Sequence, residues 1–257
     1  GYTGENVTIG ISLIVTGDAS NTGINITLTN AVGSFSIGGS APINITGHEG
    51  SVTLYGNDGN NTLYGVSGGY DALYGGAGDD ILDLGAGNSS DAIGGDGIDT
   101  VVVDWSAQTA NIQLLGNYYR SGTGDVDLSG IEIGWLTGGS GHDTLYGGNY
   151  DDQLRGGAGN DYLNSGATSA SGSTEIIDGG DGIDRWDANL SNVTTDIVFD
   201  ARTAQGSLTT LSNGMRVGNV ESVSVTLGSG NDIFRINGAL GQASAITGGD
   251  GDDIIDL

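Results

Sequence analysis

The stretch Gly75-Gly76-Ala77-Gly78-Asp79-Asp80-Ile81-Leu82-Asp83 joins a glycine-rich loop, which ends in an aspartate, to a short strand with a large apolar residue at its centre. The same nine-residue phrase, G-G-x-G-x-D-x-(large apolar)-x, recurs at residues 94–102, 138–146, 156–164, 179–187 and 248–256. Glycines allow the loop to turn its carbonyl oxygens toward a common point, and the aspartate adds a negative charge there. The repeat therefore predicts a row of calcium-binding loops separated by short strands.

The composition is acidic and rich in glycine, with 51 glycines and a formal net charge of -26 over 257 residues. The six basic residues are all arginines scattered along the chain, so there is no basic stripe that would bind a nucleic acid. No cysteine is present, which excludes disulfides and thiolate metal sites. Many acidic chains are disordered, but a large apolar residue two positions after each aspartate, at fixed spacing, argues for an ordered repeat fold.

Large apolar residues keep a spacing near nine, for example at Leu54, Leu63, Leu73 and Leu82, and they alternate with polar residues as in short strands. We therefore predict an all-β fold, a parallel β-roll or β-solenoid with calcium-binding nonapeptide turns and β-strand excursions. The predicted segments are solenoid turns without calcium loops at 1–55, calcium-loop blocks at 56–103, 138–187 and 227–257, and β excursions at 104–137 and 188–226. The first segment includes the strand-like Val7-Thr8-Ile9-Gly10-Ile11.

The two predicted excursions resemble each other. Each follows the phrase Gly-Gly-Asp-Gly-Ile-Asp and passes an apolar-glutamate pair, Ile131-Glu132 in the first and Val220-Glu221 in the second. A higher-order repeat of roughly 80–90 residues is therefore superposed on the nonapeptide repeat, as in a modular array. The sequence opens with Gly1-Tyr2 and stops within a repeat, so we expect it to be a piece of a longer protein.

The repeats resemble those of the RTX (repeats-in-toxin) family of bacterial secreted proteins over residues 56–257. The resemblance implies a β-roll with two nonapeptides per turn and several calcium ions between stacked loops. It also implies type I secretion and folding outside the cell, where calcium is abundant. The sixth residue of each clear repeat carries over as a metal ligand, namely Asp80, Asp99, Asp143, Asp161, Asp184 and Asp253. We call this sixth position the acidic slot, and in imperfect copies of the repeat it is occupied by Asn61, Asp71, Asp91, Asp152 and Asp232.

Slot residues on neighbouring turns of such a roll would share ions. The predicted pairs are Asn61 with Asp80, Asp80 with Asp99, Asp143 with Asp161, and Asp71 with Asp91. Calcium prefers about six to eight oxygen ligands, which two facing loops supply only by combining carbonyls with carboxylates. The apolar eighth positions form a core one or two side chains thick, so the sequence predicts that folding depends on calcium.

The leading functional hypothesis is a non-catalytic, calcium-folded structural segment of a large secreted or cell-surface bacterial protein, of the adhesin, surface-layer or filament type. No stretch is apolar enough to span a membrane, and no nucleophile elbow, phosphate loop or dinucleotide fingerprint occurs. The alternative is an accessory RTX domain of a secreted enzyme (polysaccharide epimerase or lyase, lipase or protease) or of a toxin, whose catalytic part lies outside this sequence. Two further hypotheses are self-association into a surface layer or filament, and glycan binding through Trp105 or Trp135.

Overall fold

The computed structural model describes residues 13–17, 24–28, 33–36, 38–66, 69–86, 90–115, 118–121, 124–167, 172–200, 208–236 and 244–256. These residues form strands and no helix, so this part of the chain contains no helix that could cross a membrane. In chain order the strands are β1 (Leu13–Gly17), β2 (Ile24–Leu28), β3 (Gly33–Ser36), β4 (Ile43–Thr46), β5 (Val52–Tyr55), β6 (Thr62–Tyr64), β7 (Asp71–Ala77), β8 (Ile81–Asp83), β9 (Ser90–Asp96), β10 (Thr100–Asp104), β11 (Ile112–Leu115), β12 (Tyr118–Ser121), β13 (Gly124–Ser129), β14 (Ile133–Thr137), β15 (Thr144–Gly148), β16 (Gln153–Gly159), β17 (Tyr162–Ala167), β18 (Ile176–Gly182), β19 (Arg185–Asn189), β20 (Val198–Asp200), β21 (Thr209–Thr210), β22 (Arg216–Gly218), β23 (Ser222–Thr226), β24 (Ile233–Arg235), β25 (Ala245–Thr247) and β26 (Ile254–Asp256).

Most of these strands lie in two sheets. Sheet 1 has the strand order β1-β2-β4-β6-β8-β10-β14-β16-β18-β22-β21, and sheet 2 has the order β25-β23-β19-β17-β15-β11-β12-β13-β9-β7-β5-β3. A regular turn contributes one strand to each sheet, and equivalent strands of successive turns pair in parallel. Leu63, for example, pairs in register with Leu82 of the next turn. The predicted all-β parallel solenoid is confirmed.

The apolar side chains that alternate along the strands form one core between the sheets. Leu63 and Leu73 are fully buried there, as are Trp186, Phe199 and Phe234. The three aromatic rings pack together, with 6.2 Å between the ring centroids of Trp186 and Phe199 and 4.8 Å between those of Phe199 and Phe234. This cluster joins Phe199, within the second predicted excursion, to Trp186 and Phe234 on either side of it.

The tryptophans considered for glycan binding differ in exposure. Trp105 is only 1% exposed and belongs to the core, whereas Trp135 is 37% exposed on β14. A sugar ring needs an accessible aromatic face. Trp105 is therefore removed from the glycan hypothesis, which now depends on Trp135 alone.

Both predicted excursions are built into the stack of strands. In the first, β11, β12 and β13 form an antiparallel meander inside sheet 2, where β13 pairs with β9 of the preceding turn and β11 with β15 of the following turn. In the second, β22 pairs with β18 of sheet 1 and with β21, while β20 pairs with β24 in a third sheet that ends in β26. The predicted calcium-loop blocks before and after each excursion are thus connected through strand pairing, in the second case through β23, which pairs with β19 and with β25.

The turns before residue 56 already follow the solenoid. Strand β2 pairs in parallel with β4, and β3 pairs in parallel with β5. Strand β1 pairs with β2 in the antiparallel direction. The strand-like segment Val7–Ile11 lies outside the described residues.

Candidate metal sites

The acidic slots lie in the loops just before the strands and stack from one turn to the next. Along the edge of sheet 1, the Asn61 N–H donates to Asp80 Oδ1 at 2.7 Å, and the Asp80 N–H donates to Asp99 Oδ1 at 2.8 Å. One oxygen of each aspartate is therefore fixed by the slot residue of the preceding turn. We call this row, Asn61-Asp80-Asp99, the first ladder.

Two further ladders have the same bonding. In the second, the Asp143 N–H donates to Asp161 Oδ1 and the Asp161 N–H donates to Asp184 Oδ1, both at 2.7 Å. In the third, the Asp232 N–H donates to Asp253 Oδ1 at 2.9 Å. The structure brings together three of the four predicted pairs, which are Asn61 with Asp80, Asp80 with Asp99, and Asp143 with Asp161.

The other carboxylate oxygen of the slot residue distinguishes two kinds of loop. In the first kind, Oδ2 is buried and has no hydrogen-bond partner in the protein, as at Asp80, Asp99, Asp161, Asp184 and Asp232. A buried carboxylate oxygen without a donor is strongly unfavourable unless a cation or a proton compensates it. These five oxygens therefore mark the positions where a cation fits.

Glycine at the first loop position makes room for this oxygen. A Cβ at Gly75 would lie 2.2 Å from Asp80 Oδ2 and 2.6 Å from the carbonyl oxygen of Gly94 in the next turn. The equivalent Cβ at Gly156 would lie 2.4 Å from Asp161 Oδ2. A carboxylate oxygen and a carbonyl oxygen from the next turn thus converge on a space that any larger residue would fill.

The second glycine of these loops has a backbone conformation that other residues rarely adopt. Its φ is +117° at Gly76, +118° at Gly95, +105° at Gly157 and +102° at Gly180. These four glycines belong to the loops of Asp80, Asp99, Asp161 and Asp184, in which Oδ2 accepts no N–H. The left-handed second glycine therefore accompanies the open carboxylate oxygen in these four loops, whereas Gly139 and Gly148, in the loops of Asp143 and Asp152, do not have this conformation.

In the second kind of loop, both oxygens of the aspartate accept backbone N–H groups. Oδ2 accepts from the second loop residue, with distances of 3.2 Å at Asp71, 2.8 Å at Asp143 and 2.7 Å at Asp152. Their Oδ1 atoms accept from the neighbouring turn at 3.1, 2.9 and 2.7 Å, respectively. Hydrogen bonds from backbone N–H groups to both oxygens of these three carboxylates hold their loops closed.

Asn61 stacks in the first ladder, but its side-chain amide donates hydrogen bonds to the carbonyl oxygens of its own loop, which therefore needs no cation. The side-chain nitrogen donates to the carbonyl oxygens of Gly59 and, at 3.3 Å, of Asn57 in its own loop. It also donates to Asp80 Oδ1 at 3.0 Å. Two loop carbonyls that could face a cation are therefore bonded to the amide instead.

Asp91 does not lie in the slot that the sequence suggested. Asp71 pairs in register with Ser90, and the Asp71 N–H donates to Ser90 Oγ at 3.3 Å. Asp91 lies one residue further along, where its Oδ1 accepts from the Asp127 N–H at 3.1 Å and its Oδ2 accepts from the Tyr70 hydroxyl. A shift of one residue turns a side chain to the opposite face of a strand. The predicted pair of Asp71 with Asp91 is therefore not formed.

Burial makes the charged form of the slot carboxylates unfavourable when no cation is bound. It raises the pKa of Asp99, Asp152 and Asp161 to about 6 each, and that of Asp184 to about 7. The nearby carboxylates of Asp161 and Glu221 raise the pKa of Asp184 further, against the effect of the N–H bond from Asp161. Burial also raises the pKa of Asp80. A cation between the loops would restore the ionised forms.

The candidate sites offer oxygen ligands. The described residues contain no cluster of three or more His, Cys, Asp and Glu side chains that could hold a metal, so carbonyl oxygens must complete each coordination shell. His142 is used otherwise, since its Nδ1 accepts from the Asn160 N–H at 2.7 Å. Carboxylate and carbonyl oxygens suit calcium, whereas zinc prefers nitrogen and sulfur ligands.

Two glutamates at the ladder ends were absent from the ligand set expected from the sequence. The Asp99 N–H donates to Glu132 Oε2 at 2.9 Å, and the Asp184 N–H donates to Glu221 Oε2 at 2.8 Å. Their only signal in the sequence is the apolar-glutamate pair that recurs in both predicted excursions. A nonapeptide pattern cannot reveal that these glutamates return to the slot, because they lie outside its register.

The comparison with known proteins agrees with this geometry. A family model for the RTX calcium-binding nonapeptide repeat matches the chain in four copies, at residues 44–69, 66–90, 137–168 and 243–257. A search of the curated proteins found no match to this chain. Over these residues the chain therefore carries RTX calcium-binding nonapeptide repeats, and such repeats bind several Ca²⁺ ions.

Proposed function

We propose that this chain is a non-catalytic, calcium-folded structural segment of a large secreted or cell-surface bacterial protein. The observation that supports this most directly is the row of buried carboxylate oxygens without protein donors at Asp80, Asp99, Asp161, Asp184 and Asp232. Each lies between stacked loops, so a calcium ion there would neutralise the charge and hold two successive turns together.

The proposed calcium ligands are the carboxylates of these five aspartates together with carbonyl oxygens of their own and neighbouring loops. Asp143 and Asp253 are assigned with them as the outer members of the second and third ladders. Asp143 Oδ2 accepts the Gly139 N–H, but it also shares the geometry of the open loops, since a Cβ at Gly138 would lie 2.4 Å from it and 2.3 Å from the carbonyl oxygen of Gly156. At Asp253 the arrangement repeats, since a Cβ at Gly248 would lie 2.2 Å from Asp253 Oδ2. Asp71 and Asp152 are assigned the role of closing their loops through backbone N–H groups.

A structural role is supported by the continuity of the stack. The meander of β11, β12 and β13 bonds to the turns on both of its sides, so force applied along the stack would pass through strand pairing and through the proposed ions. With the ions removed, the chain keeps a formal net charge of -26, and only strand pairing and the core between the sheets hold the turns together. Calcium would therefore convert a flexible polyanion into a stiff spacer.

Location outside the cell is part of the same proposal. Such sites would fill at the millimolar calcium concentrations found outside cells and stay empty in the bacterial cytosol. The chain would then remain unfolded during export and fold after it. No cysteine is available to cross-link the chain outside the cell, and calcium would take over that role.

Single-molecule force spectroscopy on the full chain, tethered between two well-characterised marker domains, tests the mechanical role. We expect discrete unfolding peaks in millimolar calcium and featureless extension of the chain in excess chelator. Magnesium at the same concentration serves as the control and should give no peaks, because it demands a small octahedral shell and keeps its water. Identical unfolding forces with calcium and with chelator would rule out the calcium-stiffened spacer.

A further inference from the structure

The first and second ladders end in the same way. Each terminates at an aspartate, Asp99 or Asp184, whose N–H donates to a glutamate from the predicted excursion that follows. Glu132 and Glu221 thus take the place that the next slot aspartate has inside a ladder. Both glutamates lie outside the nonapeptide repeats.

The residue two positions before each glutamate places its carbonyl oxygen where the first glycine of a loop places its own. Inside the first ladder, a Cβ at Gly75 would meet Asp80 Oδ2 and the carbonyl oxygen of Gly94. At the ladder end, a Cβ at Gly94 would lie 2.4 Å from Asp99 Oδ2 and 1.9 Å from the carbonyl oxygen of Gly130. The Gly130 carbonyl therefore occupies the position of the first carbonyl of a further repeat.

The second ladder ends with the same geometry. A Cβ at Gly179 would lie 2.7 Å from Asp184 Oδ2 and 1.8 Å from the carbonyl oxygen of Asn219. Gly130 and Asn219 also share a left-handed backbone, with φ of +59° and +52°. Asn219 is the one non-glycine residue with positive φ among the described residues, and asparagine tolerates this region better than most residues. The carbonyl orientation is thus maintained at both ends, at some conformational cost.

We propose that Gly130-Ile131-Glu132 and Asn219-Val220-Glu221 each complete a terminal calcium site, with Glu132 and Glu221 as side-chain ligands. Each three-residue segment stands in for the six-residue loop from the first glycine to the aspartate. Because the segment is shorter, the extra methylene of glutamate gives the carboxylate the reach that an aspartate would have at the end of a full loop. The partner ligands are Asp99 and the Gly130 carbonyl at one end, and Asp184 and the Asn219 carbonyl at the other.

An independent observation points to a ligand at both places. Asp99 and Asp184 are fully buried, and their Oδ2 atoms have no hydrogen-bond partner in the protein although they lie beside these carbonyl oxygens. A glutamate that only accepted the N–H of the aspartate would leave this second oxygen uncompensated. A cation shared by the aspartate, the glutamate and the carbonyl oxygen satisfies all three groups.

The experiment counts calcium ions on the folded 257-residue chain by native mass spectrometry for the parent, Glu132→Gln, Glu221→Gln and the double variant. Glutamine retains the length and the hydrogen-bond acceptor but loses the charge, so it separates a ligand from a simple acceptor. We expect one ion fewer in each single variant and two fewer in the double variant. The matched control is Glu49→Gln, because Glu49 is exposed and lies outside the ladders; its ion count should equal that of the parent.

An unchanged ion count in the double variant would overturn the inference, and so would loss of folding in saturating calcium, because the inner sites of the ladders do not contain these glutamates and should still bind their ions. The inference rests on the proposed calcium-folded structure, and the same experiment separates the two. A parent chain that binds no calcium would contradict the proposed function itself. A parent that binds several ions, with no loss in the variants, would contradict only the terminal sites.

Discussion

Replacing Asp161 with Asn should change stability in opposite directions with and without calcium. Asp161 Oδ1 accepts the Asp143 N–H at 2.7 Å, and an asparagine keeps this acceptor. Its Oδ2 has no partner in the protein, and burial raises the pKa of the group from 3.8 to about 6. The substitution therefore removes a negative charge that destabilises the calcium-free fold but stabilises the calcium-bound fold.

The magnitude follows from the shift in pKa. At about 1.4 kcal/mol per pH unit, ionising Asp161 in the calcium-free fold costs roughly 3 kcal/mol at neutral pH, which we reduce to about 2 kcal/mol for solvent screening near the loops. Asp161→Asn should stabilise the calcium-free fold by this amount. With calcium bound, loss of the carboxylate should destabilise the protein by about 3–5 kcal/mol, as when one partner of a buried ion pair is removed.

Two equilibrium measurements check the reversal. Folding in excess chelator is followed by circular dichroism during a titration with trimethylamine N-oxide, which favours compact states. Unfolding in millimolar calcium is followed by the same signal during a guanidinium titration. Asp181→Asn is the control, because Asp181 is exposed in the neighbouring loop, and it should stay within about 0.5 kcal/mol of the parent in both experiments. A change of the same sign with and without calcium would refute the reasoning.

Two further predictions concern pH and loop geometry. Because burial raises the pKa of Asp99 to about 6 and of Asp184 to about 7, these two groups bind more protons in the calcium-free fold than in the unfolded chain, so the stability that they contribute is fully present below about pH 4 and is lost as the pH rises through 6 to 7. Lowering the pH from 7.5 to 5 should therefore increase β structure in chelator, followed by circular dichroism, and a β signal in chelator that did not change with pH would contradict this. Gly157→Ala should destabilise the calcium-bound fold by about 2–6 kcal/mol in a guanidinium titration, because φ is +105° and the new Cβ would lie 2.2 Å from the Gly139 carbonyl oxygen. At Gly38 no atom lies within 4 Å of a Cβ, so Gly38→Ala should have little effect, and equal losses at both positions would argue against the tight stacking of loops.

The repeat predicts the solenoid because it combines the two signals that a strand and a loop need. The apolar eighth position gives the strand its buried side chain, as at Leu82, and the glycines permit the loop, so the all-β fold and its turn length follow from local chemistry. The apolar spacing extended this prediction to the turns before residue 56. The slots at Asp80 and Asp161 were also predicted, because they occur in clear copies of the motif.

Other features depend on contacts between turns, which a nonapeptide pattern does not contain. Asp91 and Ser90 differ by one residue in register, and only pairing with Asp71 shows that the serine is in the slot. The amide of Asn61 bonds to its own loop carbonyls, which its position in the motif cannot show. Glu132 reaches the slot from a meander after a chain reversal, so its sequence position gives no register.

The most direct test of calcium-dependent folding measures secondary structure and size on one sample before and after removal of the ions. Far-ultraviolet circular dichroism and small-angle X-ray scattering should show β structure and a folded particle in millimolar calcium. After chelation, with metal analysis confirming that no calcium remains, we expect the β signal to be lost and the radius of gyration to rise toward about 55 Å, the value for an unfolded chain of this length. A metal-free sample that retained its β signal and its radius would contradict the proposal that calcium between the acidic loops holds the fold together.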